Sequence, residues 1–362
     1  MKYLLLLLVT TTLQAKNDCI KIGILGEYKR PTARTVQPFG VEIKRGVDLA
    51  LEDIKNLKPC VKVEMLDIEN SAANIPDVIK VAHQKKNIHL FLGLGTTDQA
   101  LAAIPALRET KTLLITPTAS SDDLLKENSR ILMLFPRNSH IAEETIKEIL
   151  RKNIQHVGII YAENNRYSEN MAKEFTKLYK EQGGKVIYSI PVRSGHIDLN
   201  TQLETLTKYK STYVFLPLFE LDVAKVISYL HSKKLSLSYI GADSWGTYSV
   251  VIRKVTKEIP YRAIVPIIYS PSQSSELNNI FVSKYEKLYK TSPSDLTAFS
   301  YEGIRLYQKM LAFCNEAQIN ATPEACLAKA IPYQGISHVI KHASQMNVDR
   351  PIQFMEHRNL AE

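Results

Sequence analysis

The sequence predicts an α/β protein of two doubly wound, parallel-sheet lobes joined by a hinge that the chain crosses more than once. Three observations carry this. Short apolar runs alternate with amphipathic helical stretches, the pattern of a parallel sheet covered on both faces. The alternation restarts after Phe135-Pro136-Arg137-Asn138. A strand-like run at 263–269 then leads back towards the first unit. The composition, 45% hydrophobic and 23% charged in 362 residues, is that of an ordinary globular protein.

Residues 1–15 read as a signal peptide, with Lys2 as the basic region, 4–9 as the apolar core and 10–15 as the small-residue stretch before cleavage. The apolar run is far below the ~20 residues needed to span a bilayer. Cys19 follows Lys-Asn-Asp, not small apolar residues, so it does not read as a lipidation site. About 350 residues remain, enough for two domains.

The first strand is 20–25. Its loop is long and carries Lys29, Arg30 and Arg34. A helix over 41–55, a strand over 61–67 and a helix over 74–86 follow. Next comes the stretch around which the unit is organised. The run Leu90-Phe91-Leu92 is too short for a helix and ends at Gly93 and Gly95. Thr96-Thr97-Asp98 supplies N-caps to a helix over 99–109. A strand over 112–116, the turn Pro117-Thr118-Ala119-Ser120-Ser121 and a short helix over 122–127 repeat the pattern. Two hydroxyl-rich loops thus lie side by side at strand C-termini, each beneath a helix N-terminus. Free N–H groups and the positive dipole end converge there, which suits a small anion such as a carboxylate.

The second unit reads as helix 143–152, strand 157–161, helix 171–182, strand 185–190, helix 199–209, strand 213–216, helix 221–233 and strand 237–240. Gly183-Gly184 supplies a helix stop. The loop 241–246 holds the only tryptophan, Trp245, and Asp243, an acid placed directly after an apolar strand. Helices over 274–289, 297–313 and 323–330 follow, and the tail reads as short strands joined by a turn.

The formal net charge is +9. Lysines such as Lys173, Lys177, Lys180, Lys284, Lys287 and Lys290 are spread along helix faces, with no basic stripe interleaved with aromatics, which argues against nucleic acid. No G-x-S-x-G, Walker loop or H-E-x-x-H is present. The segment 93–98 begins like a dinucleotide loop but has Asp98 where the third glycine belongs. The nine histidines are scattered, and no Cys or His spacing matches a metal site. No enzyme, cofactor or metal is expected. The four cysteines allow three connectivities. Cys19 and Cys60 open strands that, as parallel neighbours about 4.8 Å apart, would let their side chains meet. Cys314 and Cys326 close a short loop, worth about 3 kcal/mol on the chain-entropy model. The expected pairs are Cys19–Cys60 and Cys314–Cys326.

The segments CIKIGILGEY, PFGVEIKRGVDLALEDI, LGLGTTDQALAAIPAL, LLITPTASSDDL, VGIIYAENNRYSENMAKEF, YIGADSWG and YQGISHVIKHASQMNVDRPIQF together resemble the periplasmic binding proteins of the leucine/isoleucine/valine type. The resemblance covers almost the whole chain after the signal peptide. It implies a non-enzymatic, monomeric protein that traps an amino acid or amide between its lobes and delivers it to the permease of an ABC transporter in the periplasm. It implies three hinge crossings, with one lobe from 16–136 plus 268–335 and the other from 137–267 plus 336–362. By position, the ligand carboxylate would meet Thr97, Thr118 and Ser120, and the ammonium Asp243 with Tyr167 nearby. Phe39 stands where the family often has a tyrosine, and Phe219 or Glu220 where a second-lobe aromatic is common. Leu134 stands where an arginine is usual, and the basic first loop replaces a small Gly-rich turn. An envelope sensor on the same scaffold is the alternative function; an adjacent histidine kinase would favour it, whereas neighbouring permease and ATPase genes would favour transport.

Overall fold

The computed structural model describes residues 19–28, 39–69, 71–126, 129–209, 213–246, 250–344 and 346–359. The signal peptide expected at 1–15 and the basic residues Lys29, Arg30 and Arg34 lie outside the described residues.

In the first lobe, β1 (Ile20–Gly26), α1 (Phe39–Ile54), β2 (Val61–Asp67), α2 (Ile75–Lys86), β3 (Leu90–Gly93), α3 (Thr97–Thr110), β4 (Leu113–Thr116) and β5 (Ile131–Met133) alternate as the sequence predicts. The second lobe runs α4 (Asn138–Arg151), β6 (His156–Ala162), α5 (Arg166–Glu181), β7 (Lys185–Val192), α6 (Leu203–Lys208), β8 (Tyr213–Leu216), α7 (Glu220–Ser232), β9 (Ser238–Gly241), α8 (Val250–Val255) and β10 (Tyr261–Ile267). The chain then adds α9 (Glu276–Tyr289), α10 (Asp295–Leu311), α11 (Glu316–Ala321) and α12 (Pro323–Ala330). It ends in β11 (Tyr333–Gln334), β12 (Val339–Ile340), β13 (Ala343–Ser344), β14 (Asn347–Val348) and β15 (Gln353–Asn359).

The first sheet has the order β13-β14-β5-β4-β3-β1-β2, and the second β15-β10-β9-β8-β6-β7. Within each, the first five strands pair in parallel in the doubly wound order 2-1-3-4-5. That order places a crevice outside the carboxyl ends of the strands, where the winding reverses. The central strands β3, β4 and β5 are buried along their whole length, which is why they read as unbroken apolar runs. Helix α1 buries Ile43, Val47, Ala50 and Ile54 on one stripe. Burial of each branched side chain among them contributes about 1.5–3 kcal/mol. The same helix crosses α10 closely enough that a methyl group on Gly46 would lie 2.1 Å from the Thr297 carbonyl oxygen.

Cys19 is bonded to Cys60 and Cys314 to Cys326, with Cα separations of 4.7 and 6.0 Å. The first bond follows from the register, since Ile20 pairs with Val61.

Several elements differ from the sequence reading. The helix expected at 122–127 is a 3-10 turn, Asp122–Leu125, and the one at 199–209 is a 3-10 turn followed by the shorter α6. Helix α8 and helix α11, the latter opened by an Asn315–Gln318 capping box, were not anticipated. The return to the second lobe expected at 336 comes later: β13 and β14 extend the first sheet, and only β15 pairs with β10. The cause is local bonding, because Met133 N donates to Met346 O and Asn347 Nδ2 to Phe135 O.

Candidate ligand site

The loops that end β1, β3 and β4 in the first lobe, and β6, β8 and β9 in the second, all leave the carboxyl edges of their sheets. In the first lobe the hydroxyls knit the loops together. Thr116 Oγ1 donates to Leu94 O and Thr118 Oγ1 to Gly95 O, both at 2.8 Å. Thr96 caps α3 by accepting from Gln99 N. Gln99 Nε2 in turn donates to the buried Glu27, 2.7 Å away, which fixes the β1 loop against α3. Thr97 is 1% exposed, and its hydroxyl oxygen has no hydrogen-bond partner. Ser120 is buried, and its carbonyl accepts from Asn138 N at the start of α4.

These three residues therefore differ. The Thr97 hydroxyl is unpartnered among the described residues and so has hydrogen-bonding capacity to spare. The Thr118 proton is engaged with Gly95 O, so this side chain mainly sets the loop. Ser120 ties the loop to the hinge.

In the second lobe the Tyr167 hydroxyl donates to Asp243 Oδ1 at 2.7 Å and accepts from Ser244 N at 3.3 Å. Asp243 is 7% exposed. Burial pushes its pKa up to about 6, against the opposing effect of the Tyr167 bond and the backbone N–H groups. Burial, then the Asp243 charge, pushes the Tyr167 phenol well up. The turn bearing Asp243 is held by its neighbours: Trp245 Nε1 donates to Leu216 O and Ser244 Oγ to Leu218 O. The Phe219 ring lies 5.6 Å from that of Tyr167, so of the two residues considered it is the aromatic one that joins the pair. Glu220 starts α7 beside it. Phe39 is half-buried at the start of α1, packed on the first-lobe core.

Several bonds cross between the lobes at the helix N-termini, among them Ser139 N to Asp122 Oδ2 at 2.9 Å. Asp98 accepts from Asn165 Nδ2 at 3.1 Å and from Arg166 N at 3.4 Å. Arg166 also reaches Asp123 at 3.4 Å. Sequence reasoning missed these residues, as it missed Ser168, whose hydroxyl accepts from Ala162 N and donates to Pro217 O, locking the β6 loop to the β8 loop. It also missed Asp295, the first residue of α10, whose carboxylate feels Glu42, Asp243 and Glu220. Asn165 alone carried a signal, as an N-cap residue ahead of an amphipathic helix. A separate cavity of about 460 Å³, lined by Lys234, Tyr239 and Tyr261 among others, sits at the amino ends of β9 and β10 and holds none of these groups.

Comparison with known proteins fits this architecture. A Leu/Ile/Val-binding protein from Rhizobium johnstonii is 22% identical over 62% of this chain, and the alignment spans 61% of that relative's own length. The branched-chain amino acid transporter substrate binding protein from Streptococcus pneumoniae, solved with isoleucine, superposes with a TM-score of 0.80 at 19% identity, covering 94% of this chain and 97% of that one. A solute binding protein of an ABC transporter from R. palustris, solved with benzoate, gives 0.78 at 15%, covering 93% and 92%. At these identities the structures speak for the fold alone. The family profile described as periplasmic binding protein matches residues 20–346. The chain belongs to the periplasmic binding protein family, whose members bind solutes and are not enzymes.

Proposed function

We propose that this protein is exported, captures an α-amino acid or a related zwitterion between its lobes as a monomer, and hands it to the permease of an ABC transporter. The observation that carries the reading is Asp243, a buried carboxylate bonded to a tyrosine and to N–H groups, with no cation paired to it among the described residues. A carboxylate in that setting is costly unless a positive group meets it. The ligand ammonium would do so, with the faces of Tyr167 and Phe219 beside it. Its carboxylate would take the Thr97 hydroxyl and lie over the loops of Thr118 and Ser120, where charge-assisted bonds form without a full countercharge. Phe39 and Phe219 would bracket the side chain. Closure would follow because the closed form binds better, which is the only way a ligand shifts such an equilibrium.

Calorimetric titration with a panel of amino acids, amides and benzoate tests this. Asp243→Ala should weaken binding of the best amino acid by more than 100-fold with the circular dichroism spectrum unchanged. Unaltered affinity would remove Asp243 from the site, and a panel in which only benzoate bound would reject the zwitterion.

A further inference from the structure

Among the described residues a second acid, besides Asp243, stands at the crevice. Asp295 follows the N-cap Ser294 and opens α10. A methyl group placed on Gly95 would lie 3.2 Å from the neighbouring Leu296 and 3.4 Å from Thr118 Oγ1, so the start of α10 stands against both hydroxyl loops. The acid thus belongs to the first-lobe wall, and its carboxyl lies near enough to Asp243 and Glu220 of the second lobe to feel their charge. An acid in the first turn of a helix ordinarily profits from the dipole, which would hold its pKa down. Here the reverse holds: burial raises Asp295 to about 7, helped by Glu42, Asp243 and Glu220 and opposed by the Leu296 N–H that it accepts at 2.7 Å. Among the described residues neither Asp295 nor Asp243 forms an ion pair.

An independent observation marks where a ligand's anionic end goes. The Thr97 hydroxyl is buried without a partner on the loop beside Leu296. Leaving such a group unsatisfied costs about 1–3 kcal/mol, which a ligand carboxylate would recover. With the carboxylate there, one ammonium can neutralise one acid, and the other, about half protonated near neutral pH, would give up its proton to meet a second cation. Resting on the amino-acid reading above, we propose that Asp295 selects ligands with a second positive charge, so that the solute is a basic amino acid.

Matched pairs that differ in charge and little in shape test this: arginine against citrulline, and lysine against norleucine, titrated into the full chain and into Asp295→Asn. The wild type should favour the cationic member at least 30-fold, and Asp295→Asn should reduce that ratio at least 10-fold, with thermal melting confirming that the variant is folded. A wild-type ratio near one, a ratio unchanged in Asp295→Asn, or tighter binding of glutamate than of glutamine would overturn the proposal. Tight binding of uncharged amino acids without charge preference rejects Asp295 alone and leaves the amino-acid function standing. Failure of every α-amino acid to bind rejects both.

Discussion

Two sets of carboxylates, one beneath the hinge and one in the crevice, have different surroundings. Beneath the hinge, Glu302 and Arg350 form an ion pair in which both side chains are inaccessible. Ile336 N donates to the second oxygen of Glu302 at 2.7 Å, the guanidinium also donates to Leu134 O and Ser337 Oγ, and it lies 4.3 Å from the centre of the Phe299 ring. In the crevice, the buried Asp243 and the partly exposed Asp295 have hydroxyl and N–H donors but, among the described residues, no cation. A charge neutralised from within serves the scaffold; one held by neutral donors alone can do the same, as Asp222 does with Ser194 Oγ and Gly195 N, but in the crevice it stands on the face that a ligand would meet.

The contrast can be broken most severely at the hinge. Arg350→Met leaves Glu302 unpaired and should cost about 3–5 kcal/mol in urea denaturation, whereas adding Glu302→Leu should restore most of that loss. A single variant as stable as the wild type would show that the pair is not holding the hinge.

At Asp243 the sign should reverse. Its folded pKa of about 6 lies above the unfolded value, so between roughly pH 4 and 6 the native state holds a proton that the unfolded chain has released. The stability belonging to this group is complete below that window and disappears as pH rises through it, on the order of 3 kcal/mol. The groups facing it are Tyr167 and Ser244 N, with the Asp295 carboxyl near enough to feel its charge. Asp243→Asn should therefore stabilise the ligand-free protein near pH 7 and flatten the difference across the window. A variant that is less stable at pH 7 would mean that the carboxylate is already neutralised.

The smallest effect is expected at the bonds between the lobes. Asp98→Ala should speed ligand release and weaken binding about 3- to 10-fold without altering the ligand preference, because it removes bonds between the lobes and leaves the proposed ligand groups in place. Stopped-flow release rates equal to those of the wild type would count against a role in closure.

Much of the fold was legible because its signals are local. Runs such as Leu90-Phe91-Leu92 bounded by glycine, and stripes such as that of α1, announce themselves within a dozen residues, and the Cys19–Cys60 bond follows once two strands are placed as neighbours. The hydroxyl loops and Asp243 were legible for the same reason, each standing at the end of an apolar strand. What stayed hidden depends on distant partners. Strands β13 and β14 are two residues each and exist because Asn347 finds the edge of β5. Arg350, in the sequence Asp-Arg-Pro, reads as a solvated turn until Glu302 and Leu134 surround it. Asp295 lies just ahead of the helix expected from 297, and only the folded chain brings it near enough to Asp243 to feel its charge. The uneven roles of Thr97 and Thr118 depend on which carbonyl each hydroxyl meets, which spacing does not reveal.

Both disulfides sit at the heel of the first lobe. One clips β1 to β2 where the strands begin, and the other lies beyond the C-terminal end of α10, a helix whose opposite end faces the crevice. On the chain-entropy model they contribute about 4 and 3 kcal/mol by constraining the unfolded chain. Covalent cross-links and moving parts thus occupy opposite poles, so oxidation toughens the frame while the jaws remain free to work.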